Sequence, residues 1–129
     1  MRKCVYAAVA AAALLPLQFA AATTAEVEVR TAGDLVNICA IADDDPMVDG
    51  ARGFCYGFIS GAANYHHSLN AGKKGKPLFC PPEPRISRAE AAKLFVAWGR
   101  ANPQHLGEAP VDGLMRFATA TWPCKQAKR

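Results

Sequence analysis

The feature that most constrains how this 129-residue chain folds is a set of four cysteines that follow its N-terminal segment. They are Cys39, Cys55, Cys80 and Cys124; the fifth cysteine, Cys4, lies within that segment. In a small exported domain, an even number of cysteines indicates disulfides. A zinc site is the alternative, but the sequence has no Cys-x-x-Cys pair and no Cys/His cluster. We therefore predict two disulfides, no metal and no cofactor.

Residues 1–25 have the organisation of a secretory signal peptide. A basic start is followed by an Ala/Leu-rich run over residues 5–17 and by small residues that predict cleavage after Ala22 or Ala25. An uncleaved membrane anchor is the alternative, but Pro16 interrupts a run shorter than the roughly 20 residues that cross a bilayer. We expect an exported protein without a membrane segment after cleavage.

The rest of the chain divides into a short mobile arm (residues 26–30), one domain (31–124) and a basic tail (125–129). Loss of Arg2 and Lys3 with the signal peptide lowers the formal net charge from +4 to +2. This balance does not indicate nucleic-acid binding, so we expect no such partner.

Apolar spacing predicts an all-α domain of four helices. The first, over residues 31–42, is capped by Thr31; the second covers residues 46–71 and begins after Asp45. The third follows a capping box at Ser87, and the fourth covers residues 109–122. On the second helix, the predicted core face carries Ala51, Phe54, Cys55, Phe58, Ala62, Tyr65 and Leu69.

This layout favours one of the three pairings that four cysteines allow. Cys39 and Cys55 lie near the connection between the first two helices, which form an antiparallel hairpin if that connection is short. Cys80 precedes the third helix and Cys124 follows the fourth, so antiparallel packing brings them together. We predict the pairs Cys39–Cys55 and Cys80–Cys124.

Four glycines form a narrow stripe beside the core face of the second helix: Gly50, Gly53, Gly57 and Gly61. Each glycine inside a helix costs about 0.5–1 kcal/mol relative to alanine. We interpret the stripe as a helix-packing surface that admits another backbone, either within the chain or across a homodimer. Weak selection for helix stability, without a packing role, is the alternative.

The histidines and serines do not form a recognisable catalytic pattern. His66 and His67 are adjacent, so on a helix they diverge by about 100° and lack metal-ligand spacing; we expect half-exposed surface positions. His105 lies in a turn, and Ser60 lacks the Gly-x-Ser-x-Gly elbow. We therefore expect no catalytic residues and a protein that is not an enzyme.

Several short motifs together resemble a known family. They are Leu-x-x-x-Cys at 35–39, Cys-x-Gly-aromatic-Ile-x-Gly at 55–61, Phe-Cys-x-Pro at 79–82, Asn-Pro at 102–103 and Trp-Pro-Cys at 122–124. In this order they resemble the Rap/Tai family of immunity proteins. The resemblance implies a compact helical protein, often dimeric, that resides in the periplasm. It would neutralise a peptidoglycan amidase delivered by type VI secretion by blocking the amidase cleft.

Two groups of charged residues are candidates for the contact surface, because charged rims steer association. The acidic group is Asp43, Asp44, Asp45 and Asp49, and the basic group is Lys73, Lys74 and Lys76. Ordinary solvated loops are the alternative interpretation. The competing function is a small periplasmic stress or acid chaperone-like protein without a cognate toxin, which would expose apolar surface in acid.

Overall fold

Four α-helices form the fold over residues 28–71 and 76–124, the parts of the chain that the computed structural model describes. They are α1 (Ala32–Cys39), α2 (Val48–Asn70), α3 (Arg88–Ala101) and α4 (Pro110–Thr121), with a 3-10 turn at Pro103–His105 between the last two. The described residues contain no strand, so the all-α prediction is confirmed. The predicted signal peptide and basic tail lie outside the described residues. None of the described helices combines the length and hydropathy needed to cross a bilayer.

Side-chain caps begin α1 and α3 as predicted. Thr31 Oγ1 accepts a hydrogen bond from the Asp34 N–H at 3.1 Å, and the Thr31 N–H donates to Asp34 Oδ2 at 2.8 Å. Ser87 Oγ accepts from the Glu90 N–H at 3.1 Å. These bonds satisfy backbone donors that a helix start otherwise leaves unpaired, so a local sequence signal is enough to place both helix starts.

The start of α2 differs from the prediction. The helix begins at Val48 and has no side-chain cap. Asp45 Oδ1 instead accepts from the Met47 N–H at 2.8 Å, and the Val48 N–H donates to the Asp45 carbonyl at 3.0 Å. Asp45 therefore stabilises a turn that precedes the helix.

Helices α1 and α3 are central to the packing, because each of them contacts the other three helices. The buried cluster contains Phe95, which is fully buried and meets Phe117 edge-on with ring centroids 5.5 Å apart. Val29, which precedes α1, is partly buried against the same cluster. The buried members of the cluster are Leu35, Val36, Phe79, Phe95, Leu114, Phe117 and Ala118.

Both predicted disulfides are present. Cys39–Cys55 joins the end of α1 to α2 across 16 residues of sequence, and Cys80–Cys124 joins the segment before α3 to the residues after α4 across 44. The second bridge is reinforced by the Cys80 N–H, which donates to the Trp122 carbonyl at 2.8 Å. Each disulfide closes one helical hairpin, as the layout predicted.

The core face predicted for α2 is wrong at three positions. The exposed fractions of Phe54, Tyr65 and Leu69 are 37%, 68% and 45%. The inward face is rotated toward Cys55 and His66, which are buried, with Ile59 and Ala62 partly buried between them. At 23 residues, α2 is much longer than the eight-residue α1 that packs on it. Some of the apolar side chains of α2 therefore have no neighbouring helix, among those described, to cover them.

The structure shows no close neighbour for the α2 glycines within the described part of the chain, and a packing role across a homodimer stays a prediction. Gly50, Gly53, Gly57 and Gly61 are exposed, and a Cβ built on each would meet no described atom within 4 Å. Close approach of helices instead occurs elsewhere, at two buried glycines. A Cβ on Gly99 of α3 would lie 2.6 Å from Val36 Cγ2, and one on Gly113 of α4 would clash with the Cβ of Ala32.

We expect Gly113→Ala to lower the free energy of unfolding by about 1–3 kcal/mol, because the new methyl group meets Ala32 Cβ, which cannot rotate away. The matched control is Gly57→Ala on the open face of α2. There, improved helix propensity should raise the free energy of unfolding by about 0.5–1 kcal/mol. Urea unfolding followed by circular dichroism measures both. Changes of the same sign in the two variants would contradict this assignment of the glycines.

Candidate functional site

The charged residues predicted to form a contact surface divide between the two ends of α2. Asp43, Asp44 and Asp45 lie in the loop before the helix and Asp49 in its first turn, whereas Lys76 follows its other end. The 23 residues of α2 separate these ends by about 34 Å. Lys73 and Lys74 lie outside the described residues. The structure thus does not bring Lys76 to the acidic group, and the role of both groups in contact stays a prediction.

Arg52 is a member of the acidic end that sequence reasoning missed. Its guanidinium pairs with the carboxylate of Asp43, nine positions earlier in the chain. Asp43 remains largely exposed, with 90% of its side chain accessible. Arg52 thus offsets part of the acidic charge, and only the folded turn between α1 and α2 brings these residues together.

An exposed apolar face runs along α2, and we call it the α2 outer face: Phe54, Gly57, Gly61, Tyr65 and Leu69. The two aromatic side chains and the leucine are accessible, and the glycines between them leave the helix backbone uncovered. Contiguous apolar surface on a soluble domain is typical of a contact site for another macromolecule. The sequence showed this apolar stripe, but its exposure follows from how α2 rotates on the core.

His66 anchors the segment after α2, and the expectation of a half-exposed side chain is wrong. It is buried, with an exposed fraction of 8%. Its Nε2 accepts from the Leu78 N–H at 3.1 Å, and its ring stacks on Phe79 with centroids 4.1 Å apart. An acceptor at Nε2 requires the proton to reside on Nδ1, so the neutral imidazole holds this contact.

The pKa of His66 is lowered from its ordinary value of about 6.5 by burial, with a smaller effect from the neighbouring charge of His67. Between the two pKa values the unfolded chain binds a proton that the folded chain does not bind. The stabilising contribution of neutral His66 is therefore fully present above about pH 6.5 and decreases as the pH falls.

We expect the stability of the wild type to fall relative to His66→Gln between about pH 7.5 and about pH 5.5. Glutamine keeps a hydrogen-bond acceptor for Leu78 but does not titrate. Asp34 and Glu108, whose pKa values are lowered by hydrogen bonds from Thr31 and from Arg116 and His105, titrate below this range. Urea unfolding across the range is the measurement, with His67→Gln as the exposed control. A stability difference between wild type and His66→Gln that does not change with pH would contradict the proposed titration.

His105 joins the turn after α3 to α4. Its ring stacks on Trp98 with centroids 5.8 Å apart, and its Nδ1 lies 2.7 Å from Glu108 Oε1. The other carboxylate oxygen of Glu108 accepts from Arg116 Nε at 2.9 Å, which is the main reason for the lowered pKa of Glu108. This arrangement links structural elements through charged hydrogen bonds and gives His105 a structural partner.

A groove lies on the side of the domain where the end of α1, α2 and α3 meet. Its volume is about 360 Å³, and its lining includes Ile41, Tyr56 and the buried side chain of Val96. Three cations, Arg52, Lys93 and Arg100, lie along it. The sequence shows the two α3 cations only as separate charges; α3 places them seven residues apart beside the groove.

None of the described residues forms a cluster of three or more His, Cys, Asp or Glu side chains suited to a metal ion. The features described above are an exposed apolar helix face, an acidic loop and a basic groove, each of which is suited to contact with another molecule. Their arrangement can supply contacts to a macromolecule without any chemical step.

Comparison with known proteins gives one positive result. The sequence profile of a family described as Rap1a immunity proteins matches residues 31–124, which include all four helices and both disulfides. No curated protein and no solved structure matches the chain.

Proposed function

Because this chain belongs to the Rap1a immunity protein family, we propose that it protects the cell that makes it by binding and occluding a toxic enzyme. The proposed target is a peptidoglycan amidase delivered by type VI secretion, and the proposed compartment is the periplasm. The family match over residues 31–124 is the observation that carries this proposal.

The disulfides support a role outside the cytoplasm. Cys39–Cys55 and Cys80–Cys124 connect elements that the small core alone would hold only weakly. Disulfides form and persist in oxidising compartments such as the periplasm. An N-terminal signal peptide over residues 1–25, predicted from the sequence, would deliver the chain there.

Inhibition of an amidase requires surface and rigidity in the immunity protein but no catalytic group. Family membership thus favours a non-catalytic role, with a protein as the partner. The accessible side chains of the α2 outer face offer apolar contact area, and the loop at Asp43–Asp45 offers charge that steers association. A disulfide-closed scaffold presents both with little ordering entropy to lose on binding.

The test is co-expression of this protein with a candidate amidase encoded beside it, with the amidase directed to the periplasm. We expect growth to be restored by the full chain but not by a chain lacking residues 1–25, which would remain in the cytoplasm. In vitro, the purified mature protein should abolish hydrolysis of peptidoglycan at an equimolar ratio. Hydrolysis that continues at a large excess of the protein would overturn this assignment for that enzyme.

A further inference from the structure

The basic groove has an apolar floor and a charged rim. Ala92 and Val96 of α3 are buried at the floor, and Ile41 from the loop after α1 closes one side. Lys93 and Arg100 are exposed on the α3 side, and Tyr56 lines the α2 side. The groove therefore combines a surface suited to an apolar side chain with positive charge at both ends of one helix face.

The charge of this groove is unbalanced. Among the described residues that line it, none carries a carboxylate. Of its three cations, Arg52 pairs with Asp43, whereas neither Lys93 nor Arg100 forms an ion pair with a described residue. A ligand that supplies carboxylates at these two positions would complete the pairing, and one that supplies cations would be repelled.

We propose that this groove binds an extended acidic segment of a protein partner, with two carboxylates flanking one apolar side chain. The seven residues from Lys93 to Arg100 correspond to about 10.5 Å along the helix. In an extended segment, side chains at positions i, i+2 and i+4 share one face, and the outer two lie about 13 Å apart. The side chains of Lys93 and Arg100 are long enough to span the difference between these two distances. The central apolar side chain of the bound segment then contacts Val96.

The identity of the partner as the amidase rests on the function proposed above, but the recognition of acidic peptide does not. The direct probe is acetyl-Asp-Ser-Leu-Ser-Asp-amide, titrated into isotopically labelled mature protein and followed by NMR. Acetyl-Asn-Ser-Leu-Ser-Asn-amide has the same shape without the charges. We expect shift changes confined to the groove for the acidic peptide, weaker at about 0.5 M salt than at about 0.05 M.

The matched variants are K93E/R100E, which reverses the charge of the rim, and R85E/R88E, which makes the same charge change at exposed residues outside the groove. We expect the first to weaken peptide binding by about tenfold or more and the second to leave it within about twofold. Thermal unfolding of each variant checks that the fold is retained. Equal binding of the Asn peptide, or wild-type binding by K93E/R100E, would overturn the proposal.

The same variants separate this proposal from the proposed function. If the wild type inhibits the amidase and K93E/R100E inhibits it equally well, the amidase does not bind through the groove. The assignment of the amidase as the partner of the groove then fails while the function stands, and the peptide titration decides the recognition of acidic segments. If the acidic peptide binds in the groove but no amidase is inhibited, the peptide recognition stands and the function falls. Loss of inhibition in K93E/R100E alone would support both.

Discussion

Replacement of both Cys80 and Cys124 by serine should lower the free energy of unfolding by about 4 kcal/mol. The bridge spans 44 residues, so its loss restores much conformational freedom to the unfolded chain. It also releases the contact between Phe79 and Trp122, whose ring centroids lie 6.3 Å apart at the edge of the core. Urea unfolding of the oxidised wild type and of the variant measures the difference.

The control for this prediction is Cys39→Ser with Cys55→Ser. That bridge spans only 16 residues, so the chain-entropy estimate falls to about 3 kcal/mol. Because Cys39–Cys55 closes the shorter loop, we expect its removal to be the milder change. A larger loss of stability on removal of Cys39–Cys55 would show that native packing around Cys55, and not loop length, determines what the bridges contribute.

Phe95→Ala should be the most damaging single substitution, with a loss of about 3–5 kcal/mol. Phe95 is fully buried and packs on Phe117 and Trp98, with ring centroids at 5.5 and 6.5 Å. A domain of this size has a total stability of about 5–15 kcal/mol, so the variant should lose a large part of it.

Near-ultraviolet circular dichroism during thermal unfolding checks the Phe95→Ala prediction, because it reports aromatic packing. The control is Leu78→Ala, where the side chain is 60% exposed and the expected change is below about 0.5 kcal/mol. A midpoint for Phe95→Ala close to that of Leu78→Ala would mean that the core repacks around the missing ring.

The local features of the fold could be predicted because their causes are close in sequence. Thr31 with Asp34, and Ser87 with Glu90, each cap a helix within four residues of chain. The two cysteine pairs followed from the antiparallel layout, which short connections between helices favour.

The candidate site was less predictable, because its residues meet through tertiary contacts. Asp43 and Lys76 were identified as charged surface beyond the two ends of the predicted second helix, and the structure keeps them there, but the ion pair of Asp43 with Arg52 was not predicted. Arg52, Lys93 and Arg100 come from two helices, and no local pattern indicates that they share a groove. Likewise, His66 meets Leu78 across a twelve-residue separation, so its burial could not be read from its neighbours.

The amino-acid order alone therefore determines that this chain is helical, where α1 and α3 begin and which cysteines pair, since these depend on local hydrogen bonds and short connections. The tertiary structure decides which apolar face of α2 is covered and which glycines admit a neighbouring helix. Helix periodicity gives the spacing of side chains around the helix axis. It does not give the rotation of the helix about that axis relative to its neighbours. That rotation is set by packing against α1, α3 and the segment at Leu78 and Phe79, which together bury Cys55 and His66 and leave Phe54 and Tyr65 accessible.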